Sequence, residues 1–324
     1  MVASDIGIII VGLIILCFGG YALVLGSVAL AKKLQISSIV IGLTVVAFGT
    51  STPELAASIV AAIGSHTDLI LGNIVGSNIS NIGMVIGISA IFVTLKMREQ
   101  TSRTWVPIMI AASLLLVTLS LDGEISQIDG VILLVGLIAF SIYTVKSAKK
   151  KMPIGEDVEH EDPESSMTLS KFHITTVPRS IGFVVLGAIL LGVGGHFTVT
   201  SAVSIADAFG ISQMIIGITI IAIGTSLPEL VTSIIAIRKK QMDIGIGNIV
   251  GSNIYNVLFI GGIAGTIVGI PVIITDVLNQ YIWMIGFSLV LFVGLKKLGG
   301  KIPKFVGVGL VIMYIIYLGS LFIK

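Results

Sequence analysis

Long apolar runs alternate with short charged or turn-rich segments along the whole chain. A transmembrane helix needs about 20 mostly apolar residues, and ten of the runs are close to that length or longer. Their approximate bounds are 6–31, 37–64, 68–95, 105–121, 126–147, 181–206, 212–237, 244–270, 277–295 and 303–322. The pattern predicts an all-α membrane protein of ten transmembrane helices.

One long polar stretch interrupts this pattern between the fifth and the sixth run. It predicts a division into residues 1–147, a linker at 148–180 and residues 181–324. The linker carries an acidic cluster that comprises Glu156, Asp157, Glu159, Glu161, Asp162 and Glu164. A regulatory calcium site is one interpretation of this cluster, but we expect a solvated connection.

The basic residues fall on one side of the predicted membrane. Of the 19 lysines and arginines, every one except Lys324 lies in a connection on the same side. Because cytoplasmic loops are enriched in lysine and arginine, we assign this side to the cytoplasm. We therefore expect a multi-pass protein of the cell membrane, with both termini extracellular and the 148–180 linker cytoplasmic.

An internal repeat relates the two apolar parts of the chain. Residues 41–81 align without gaps with residues 216–256, and 23 positions are identical. Since each part contains five predicted spans, an odd number, the two parts lie upside down relative to each other. Inverted repeats are typical of secondary transporters, whose substrate site lies near the bilayer midplane between the repeats.

The composition excludes a soluble domain. Hydrophobic residues make up 55% of the chain, charged residues 11%, and the mean hydropathy is +1.10, whereas soluble domains carry about 25% charged residues. We expect lipid around the helices, no nucleic-acid partner and a monomeric protein. The single cysteine, Cys17, rules out an intrachain disulfide.

Two glutamates are the candidate charged ligands. Of the 17 acidic residues, only Glu54 and Glu229 lie deep inside apolar runs, and they correspond in the repeat. A carboxylate at the bilayer centre costs at least about 2.5 kcal/mol, and no lysine or arginine lies in the interior of a predicted span. A protonated structural glutamate is one interpretation. We favour the other, in which a mobile cation is the partner of both carboxylates.

A glycine and a proline precede each glutamate, in the segments 49–54 and 224–229. Proline removes a backbone donor and clashes with the preceding turn, so we predict broken helices in spans 2 and 7. The break should release carbonyl oxygens nearby, and a threonine at helical spacing shares a face with each carboxylate. The donors expected from this motif are the carbonyls around Ala47 and Ala222 together with Thr50 and Thr225.

A second motif, GN-x-x-GSN-x-x-N, occurs once in each part and supplies uncharged oxygen. We predict broken helices in the spans that carry it, spans 3 and 8. Serine and asparagine four residues apart share a helix face, and buried amides are costly unless they are satisfied. The candidate ligands here are Ser77, Asn81, Ser252 and Asn256. Polar contacts between helices, with close packing at the glycines, are the alternative. Either role suits Asn73, Asn78, Asn248 and Asn253.

These donors form a hard site made only of oxygen atoms. Calcium takes about six to eight oxygen ligands, and sodium suits the same atoms with less negative charge. No cysteine or histidine lies beside either motif, which argues against zinc or copper. We therefore expect Ca²⁺ and Na⁺ as the transported ions and no cofactor.

In these two motifs, and over its whole length, the sequence resembles the calcium/cation antiporter superfamily, specifically the sodium/calcium exchanger branch of prokaryotic type. The resemblance implies exchange of Na⁺ for Ca²⁺ by alternating access, and no enzyme activity. The calcium ligands that it implies are Glu54, Glu229 and the carbonyls of Thr50 and Thr225, with Asn81 and Asn256 completing the centre. The sodium ligands that it implies are Ala47, Ser51, Ser77, Ala222, Ser226 and Ser252.

Three positions distinguish the branches of this superfamily. Proton/calcium relatives usually carry a glutamate where this chain has Gly76 and Gly251, and potassium-dependent relatives an aspartate where it has Asn256. With two carboxylates as the only charged ligands, three sodium ions, the number that the family implies, would leave the site one charge positive. Exchange is therefore expected to be electrogenic.

Three other functions were weighed. A proton/calcium or other cation antiporter would use the same fold. A cation channel fits less well, because channel filters are usually built from rings of identical subunits rather than from an inverted repeat. An intramembrane hydrolase using Ser51 or Ser226 lacks a nearby histidine or lysine as base.

Overall fold

The apolar runs fold into helices that pack side by side. The computed structural model describes residues 2–63, 67–99, 101–150, 174, 176–209 and 222–321. Most of the predicted linker, at 151–173, and the start of the seventh predicted span, at 212–221, lie outside the described residues.

In the first part of the chain, the described residues contain eight α-helical segments and two short strands. The helices are α1 (Val2–Leu34), α2 (Ser38–Ile41), α3 (Ala47–Thr50), α4 (Thr52–Ile63), α5 (Thr67–Ser80), α6 (Gly87–Phe92), α7 (Val106–Leu119) and α8 (Gln127–Lys150). The strands are β1 (Leu95–Lys96) and β2 (Glu124–Ile125).

In the second part, the described residues contain seven α-helical segments and two strands. The helices are α9 (Val177–Ala208), α10 (Ala222–Thr225), α11 (Leu227–Arg238), α12 (Met242–Tyr255), α13 (Gly262–Val268), α14 (Ile274–Lys297) and α15 (Lys304–Ser320). The strands are β3 (Ile270–Pro271) and β4 (Lys301–Ile302).

Several of these helices are long enough to cross a membrane. Among the described residues, seven are sufficiently long and apolar, and the bent pair Ser38–Thr50 and Thr52–Ile63 adds an eighth crossing if it counts as one span. Because apolar helices of this length have few other stable environments, the chain is a multi-pass membrane protein.

The two helices that carry the second motif lie innermost. In the spans Leu69–Phe92 and Met242–Val268, 83% of an apolar 18-residue stretch is buried inside the protein. In Gln127–Ser147 the corresponding share is only 22%. The latter exposes large apolar side chains such as Ile128, Val135 and Ile138. Apolar side chains therefore face outward, where lipid accommodates them, and the polar motifs face inward.

Helices α1 and α9 run antiparallel in close contact. Small residues repeat every seventh position on both, so that Gly12, Gly19 and Gly26 lie opposite Gly194, Gly187 and Ser180. A Cβ atom at Gly19 would lie 2.8 Å from the backbone nitrogen of Leu191. Glycine is needed here because only its lack of a side chain lets the two backbones approach this closely.

Two small antiparallel sheets join the first part of the chain to the second. Strand β1 pairs with β4, and β2 pairs with β3. The repeat relates β1 to β3, since Leu95 and Ile270 are separated by the same 175 positions as the two motifs. The sheets thus follow the internal symmetry of the sequence.

The helices change form at the motifs. The first motif interrupts the helix at Ser51, where the axes of the flanking segments differ by 42°. At the second motif, where the sequence predicted a break, the helix instead continues and becomes π-helical, over Asn81–Ile86 and over Asn256–Gly261, because this motif contains no proline. Such π-helical turns are rare and occur frequently at functional sites, and both begin at a candidate asparagine ligand.

Candidate cation site

The prolines explain where the first motif breaks. Pro53 and Pro228 each occupy the second position of a new helix, α4 or α11, where a missing N–H has no partner to lose. The residues just before these helices, Ser51 and Ser226, have nearly the same backbone angles, φ −83° and ψ 6° against φ −85° and ψ 0°. The two copies of the motif therefore end one helix and start the next in the same way.

Glycines bring the second motif of one part against the first motif of the other. A Cβ atom at Gly251 would lie 2.7 Å from the Cβ atom of Ala47 and 2.8 Å from the carbonyl oxygen of Leu43. A Cβ atom at Gly247 would lie 2.8 Å from the carbonyl oxygen of Ile39. Position 251 consequently has no room for the glutamate that proton/calcium relatives carry.

The corresponding glycine of the first part has a different environment among the described residues. No described atom lies within 4 Å of a Cβ atom built at Gly72. The positions equivalent to Ile39, Gly42 and Leu43, which contact Gly247, are 214, 217 and 218, and they lie outside the described residues.

Glu54 and Glu229 are both buried, with only 1% of each residue exposed. The Ser51 hydroxyl, three residues before Glu54, lies 3.2 Å from a carboxylate oxygen of Glu229, so the two acidic residues belong to one site. The described residues contain no ion pair to either carboxylate; the ion pairs found there join Arg98 to Asp243 and Arg103 to Glu99. The site therefore combines two carboxylates with no protein cation to neutralise them.

The carboxylate of Glu229 accepts hydrogen bonds from hydroxyl groups of both parts of the chain. Its Oε1 atom accepts from the Ser51 hydroxyl at 3.2 Å and from the Ser252 hydroxyl at 3.3 Å. Its Oε2 atom is buried and has no hydrogen-bond partner among the described residues. One carboxylate of the second part is thus bound by a serine of the first.

Thr50 makes a second bridge between the two parts. Its hydroxyl donates to Oδ1 of Asn248 at 2.9 Å and lies 3.4 Å from the hydroxyl of Ser252. Both contacts join the first motif of one part to the second motif of the other. The predicted ligands Thr50, Ser51, Ser252 and Glu229 therefore meet in one place.

The amides of Asn73 and Asn248 make the same contacts in the two parts. The Nδ2 atom of Asn73 donates to the carbonyl of Glu54 at 3.1 Å and to the Ser58 hydroxyl at 2.9 Å. The Nδ2 atom of Asn248 donates to the carbonyl of Glu229 at 3.5 Å and to the Ser233 hydroxyl at 3.0 Å. Each amide thus connects the second motif to the helix turn that carries the carboxylate.

Several buried polar atoms of the site lack a partner among the described residues. They are Oε2 of Glu54, both amide atoms of Asn81, the hydroxyl of Ser226 and the Oδ1 atoms of Asn253 and Asn256. The Nδ2 atom of Asn256 donates to Oδ1 of Asn78 at 3.1 Å. Unpartnered buried polar atoms are costly, so a site that binds cations gives these oxygens a function.

The carbonyl of Ala47 differs from the sequence-based expectation of a released oxygen. It accepts the backbone N–H of Ser51 at 3.0 Å and the hydroxyl of Thr50 at 3.3 Å. The reason is that Pro53 lacks the N–H that would bond Gly49, two residues further on, so the turn at Ala47 stays closed.

The other predicted ligands, Ser77, Thr225 and Ala222, lie in or beside one of the two motifs. Ser77 is buried and its hydroxyl donates to Oδ1 of Asn73 at 3.4 Å. Thr225 is the last residue of α10 and is nearly buried. Ala222 begins the same helix, and its side chain lies outside the described residues.

The donor set is suited to a hard cation. The described residues contain no cluster of three or more histidine, cysteine or acidic side chains, so the two glutamates supply the charge and neutral oxygens supply the rest. Calcium and sodium accept such oxygen donors, whereas zinc and copper prefer nitrogen and sulfur.

Sequence reasoning missed Ser58 and Ser233. Each follows its glutamate by four residues, so it lies one turn further along the same helix face. The signal was present, because the two serines correspond in the repeat and both are buried.

Comparison with known proteins relates the chain to a group of transporters. The sequence pattern of a family described as "Sodium/calcium exchanger protein" matches residues 4–146 and 179–323. The chain is 30% identical over 349 residues to the sodium/calcium exchanger MaX1 of Methanosarcina acetivorans, and the match covers 99% of both proteins. It is 33% identical over 274 residues to the inner membrane protein YrbG of Escherichia coli, covering 83% of this chain and 79% of that protein.

A solved structure is similar over the same length. The sodium-calcium exchanger NCX_Mj, soaked with Na⁺ and Sr²⁺, superposes with a TM-score of 0.82 at 31% identity, and the superposition covers 99% of both chains. The likeness therefore extends over both apolar parts.

Proposed function

Because the chain belongs to the sodium/calcium exchanger family, we propose that it exchanges Na⁺ for Ca²⁺ across the membrane by alternating access. At a coarser level, it is a multi-pass membrane protein and a cation antiporter, and it is not an enzyme. The choice of ions and the mechanism are the proposal.

One observation supports this proposal above all. Two buried carboxylates from opposite repeats share one oxygen-lined site, and the described residues offer no lysine or arginine to neutralise them. A charge of about −2 that is matched by no protein cation favours a divalent ion or several monovalent ions. A site between two inverted repeats is where secondary transporters bind their substrates.

The proposed ligands follow from the two motifs. Ca²⁺ is bound by Glu54, Glu229 and the carbonyls of Thr50 and Thr225, and Asn81 and Asn256 complete the centre. The proposed Na⁺ ligands are Ala47, Ser51, Ser77, Ala222, Ser226 and Ser252. Since the proposed sodium ligands Ser51 and Ser252 lie against the proposed calcium ligand Glu229, sodium and calcium would compete for one site, which is the physical basis of exchange.

The proposed architecture has ten transmembrane helices in two inverted repeats of five, with broken helices in spans 2 and 7. The repeats comprise residues 1–147 and 181–324, and the linker at 148–180 is cytoplasmic. We propose a monomer, since one chain supplies both halves of the site.

The direct test is uptake of radioactive calcium into vesicles that contain the purified protein. Vesicles loaded with Na⁺ and diluted into sodium-free medium should take up Ca²⁺, and vesicles with an imposed K⁺ or proton gradient should not. Uptake driven by a proton gradient alone would identify a proton/calcium antiporter instead. Unsaturable calcium entry without counter-transport would identify a channel.

The same vesicles test electrogenicity. If three Na⁺ exchange for one Ca²⁺, one net charge moves in each cycle, and the membrane potential contributes about 2.3 kcal/mol per 100 mV. Clamping the potential with K⁺ and valinomycin should therefore change the initial rate of calcium uptake. A rate that ignores the potential would show an electroneutral stoichiometry.

The orientation is tested by labelling single cysteines in a Cys17→Ser background. Asp122 and Lys297 are both exposed and lie in connections on opposite sides of the proposed membrane. A cysteine at Asp122 should react with an impermeant thiol reagent from outside, and a cysteine at Lys297 only from the cytoplasm. Labelling of both from one side would contradict the proposed number of spans.

A further inference from the structure

Two asparagines outside the proposed ligand set occupy equivalent positions in the repeats. Asn73 and Asn248 lie one turn before Ser77 and Ser252 on the helices of the second motif. Each amide nitrogen donates to the backbone carbonyl of the glutamate of its own repeat and to a serine one turn beyond that glutamate. Since the same contacts occur in both halves, they are a feature of the repeat and not of one half alone.

These contacts fix which way each amide points. A backbone carbonyl can only accept a hydrogen bond, so the NH₂ group of the amide, and not its oxygen, must face the carbonyl of Glu54 or Glu229. In the second repeat Ser233 donates its own proton to the carbonyl of Gly245 at 3.3 Å, which leaves its oxygen free to accept from Asn248. A flipped amide would place two oxygen atoms against each other.

The fixed orientation turns each amide oxygen toward a proposed ligand. Oδ1 of Asn73 accepts the hydroxyl of Ser77 at 3.4 Å. Oδ1 of Asn248 lies 2.9 Å from the hydroxyl of Thr50, nearer than the other possible acceptor of that proton, the Ala47 carbonyl at 3.3 Å. A hydroxyl has one proton and two lone pairs. Once the proton is donated to the amide, only lone pairs remain for other neighbours.

We propose that Asn73 and Asn248 are positioning residues that draw the hydroxyl protons of Ser77 and Thr50 away from the cation. The two hydroxyl oxygens then face the ion as acceptors, without a proton that would repel it. Ser58 and Ser233 support this arrangement by holding the amide nitrogens. The inference rests on the proposed function, because it assumes that these hydroxyls line a cation site.

A double-mutant cycle distinguishes this role from simple packing. Asn73→Ala should raise the Na⁺ concentration for half-maximal exchange about fivefold, as expected for one lost hydrogen bond, with a smaller effect on the maximal rate. If Asn73 acts through Ser77, then Asn73→Ala should cost little more in a Ser77→Ala background. Additive effects of the two changes would overturn the inference.

The second repeat provides an independent cycle. Thr50→Val removes the hydroxyl and keeps the backbone carbonyl that is the proposed calcium ligand. Asn248→Ala should therefore have a reduced effect in a Thr50→Val background. Ser113→Ala is the matched control, because the buried Ser113 hydroxyl donates to the Met109 carbonyl of its own helix at 3.1 Å and lies outside both motifs in the sequence.

Variants of the supporting serine sharpen the test. Ser58→Ala should raise the half-saturating concentration less than Asn73→Ala does, because the Glu54 carbonyl still orients the amide, and Ser58→Thr should restore the normal value. Where Asn73→Ala does not yield folded protein, Asn73→Leu takes its place in the cycle, since leucine has a similar size and lacks both the amide protons and the oxygen that accepts from Ser77.

Binding is measured separately from transport. Protection against thermal unfolding by Na⁺, Ca²⁺ and Sr²⁺ reports the affinity of the purified protein for each ion. If the unmodified protein binds these ions but shows no sodium-driven calcium uptake, the proposed function fails, and the same cycles in ion affinity still decide the role of the asparagines. If exchange proceeds and the cycles are additive, only the positioning role is wrong.

Discussion

The cation site consists of two half-sites, one around Glu54 and one around Glu229. They are built from equivalent residues of the repeat but form different hydrogen bonds. Oε1 of Glu229 accepts from Ser51 and Ser252. By the repeat, the partners of Glu54 would be Ser226 and Ser77. Yet the Ser226 hydroxyl has no partner among the described residues, and Ser77 donates to Asn73 instead.

The amides differ in the same way. Asn256 donates to Asn78 at 3.1 Å, and the equivalent bond would run from Asn81 to Asn253. Instead, both amide atoms of Asn81 and the Oδ1 atom of Asn253 lack partners in the described part of the chain. Within the described residues, the hydrogen bonds of Ser51 and Asn256 thus have no counterparts at Ser226 and Asn81.

This difference shows that the two repeats adopt different local conformations in one structure. Transporters with inverted repeats alternate between states by moving one part against another around a fixed site.

The largest predicted effect tests whether the two carboxylates are equivalent in function despite this difference. Glu54→Gln and Glu229→Gln should each reduce sodium-driven calcium uptake at least about a hundredfold, because losing one partner of a buried ionic contact costs about 3–5 kcal/mol. The measurement is the initial uptake rate in vesicles at matched protein content.

The control is Asp122→Asn, which makes the same chemical change at an exposed position and should leave uptake unchanged. Near-normal uptake in only one of the glutamine variants would mean that a single carboxylate suffices for calcium.

A smaller effect, on the stability of the protein, should distinguish the two half-sites. Ser51→Ala removes a hydrogen bond to a buried carboxylate and should lower the free energy of unfolding by about 1.5–3 kcal/mol without ions. Ser226→Ala removes a hydroxyl that has no partner in the described residues, so its effect should stay within about 0.5 kcal/mol. Thermal unfolding in detergent with a chelator measures both.

Saturating Ca²⁺ or Na⁺ should reduce this difference, since the proposed function assigns both serines to ion binding. Equal destabilisation by the two variants in ion-free buffer would show that the half-sites are equivalent in solution.

The smallest effect concerns the two central asparagines. Asn256→Ala breaks the bond to Asn78 and should destabilise the ion-free protein by about 0.5–1.5 kcal/mol, whereas Asn81→Ala breaks no bond among the described residues. Both should weaken calcium binding, because both asparagines are proposed ligands. Calcium-dependent protection against unfolding compares the two variants, and an Asn81→Ala protein that binds calcium normally would remove Asn81 from the ligand set.

Much of the fold was predictable because its causes are local in the sequence. Apolar runs of sufficient length must become membrane helices, since lipid offers the backbone no hydrogen-bond partners. The multi-pass fold and the membership in the exchanger family that the sequence predicted are confirmed. The count of ten helices and the orientation in the membrane stay predictions.

The candidate site was predictable as a set of residues, and its roles stay predictions. The cost of burying a carboxylate singled out Glu54 and Glu229, and the repeat identified their neighbours. The release of the Ala47 carbonyl was expected and is not seen, because the missing N–H of Pro53 acts two residues further on.

The sequence by itself determined which oxygen atoms gather in the membrane, because hydropathy and the cost of buried charge depend on residue type alone. Only the tertiary structure decided how those atoms bond to one another. Ser51 reaches a carboxylate 178 positions away, and Ser58 and Ser233 gain their role from the amides that lie against them. The two copies of each motif have nearly the same sequence. The sequence therefore cannot show which hydroxyl group donates its proton to which acceptor, since that depends on the conformation of each repeat.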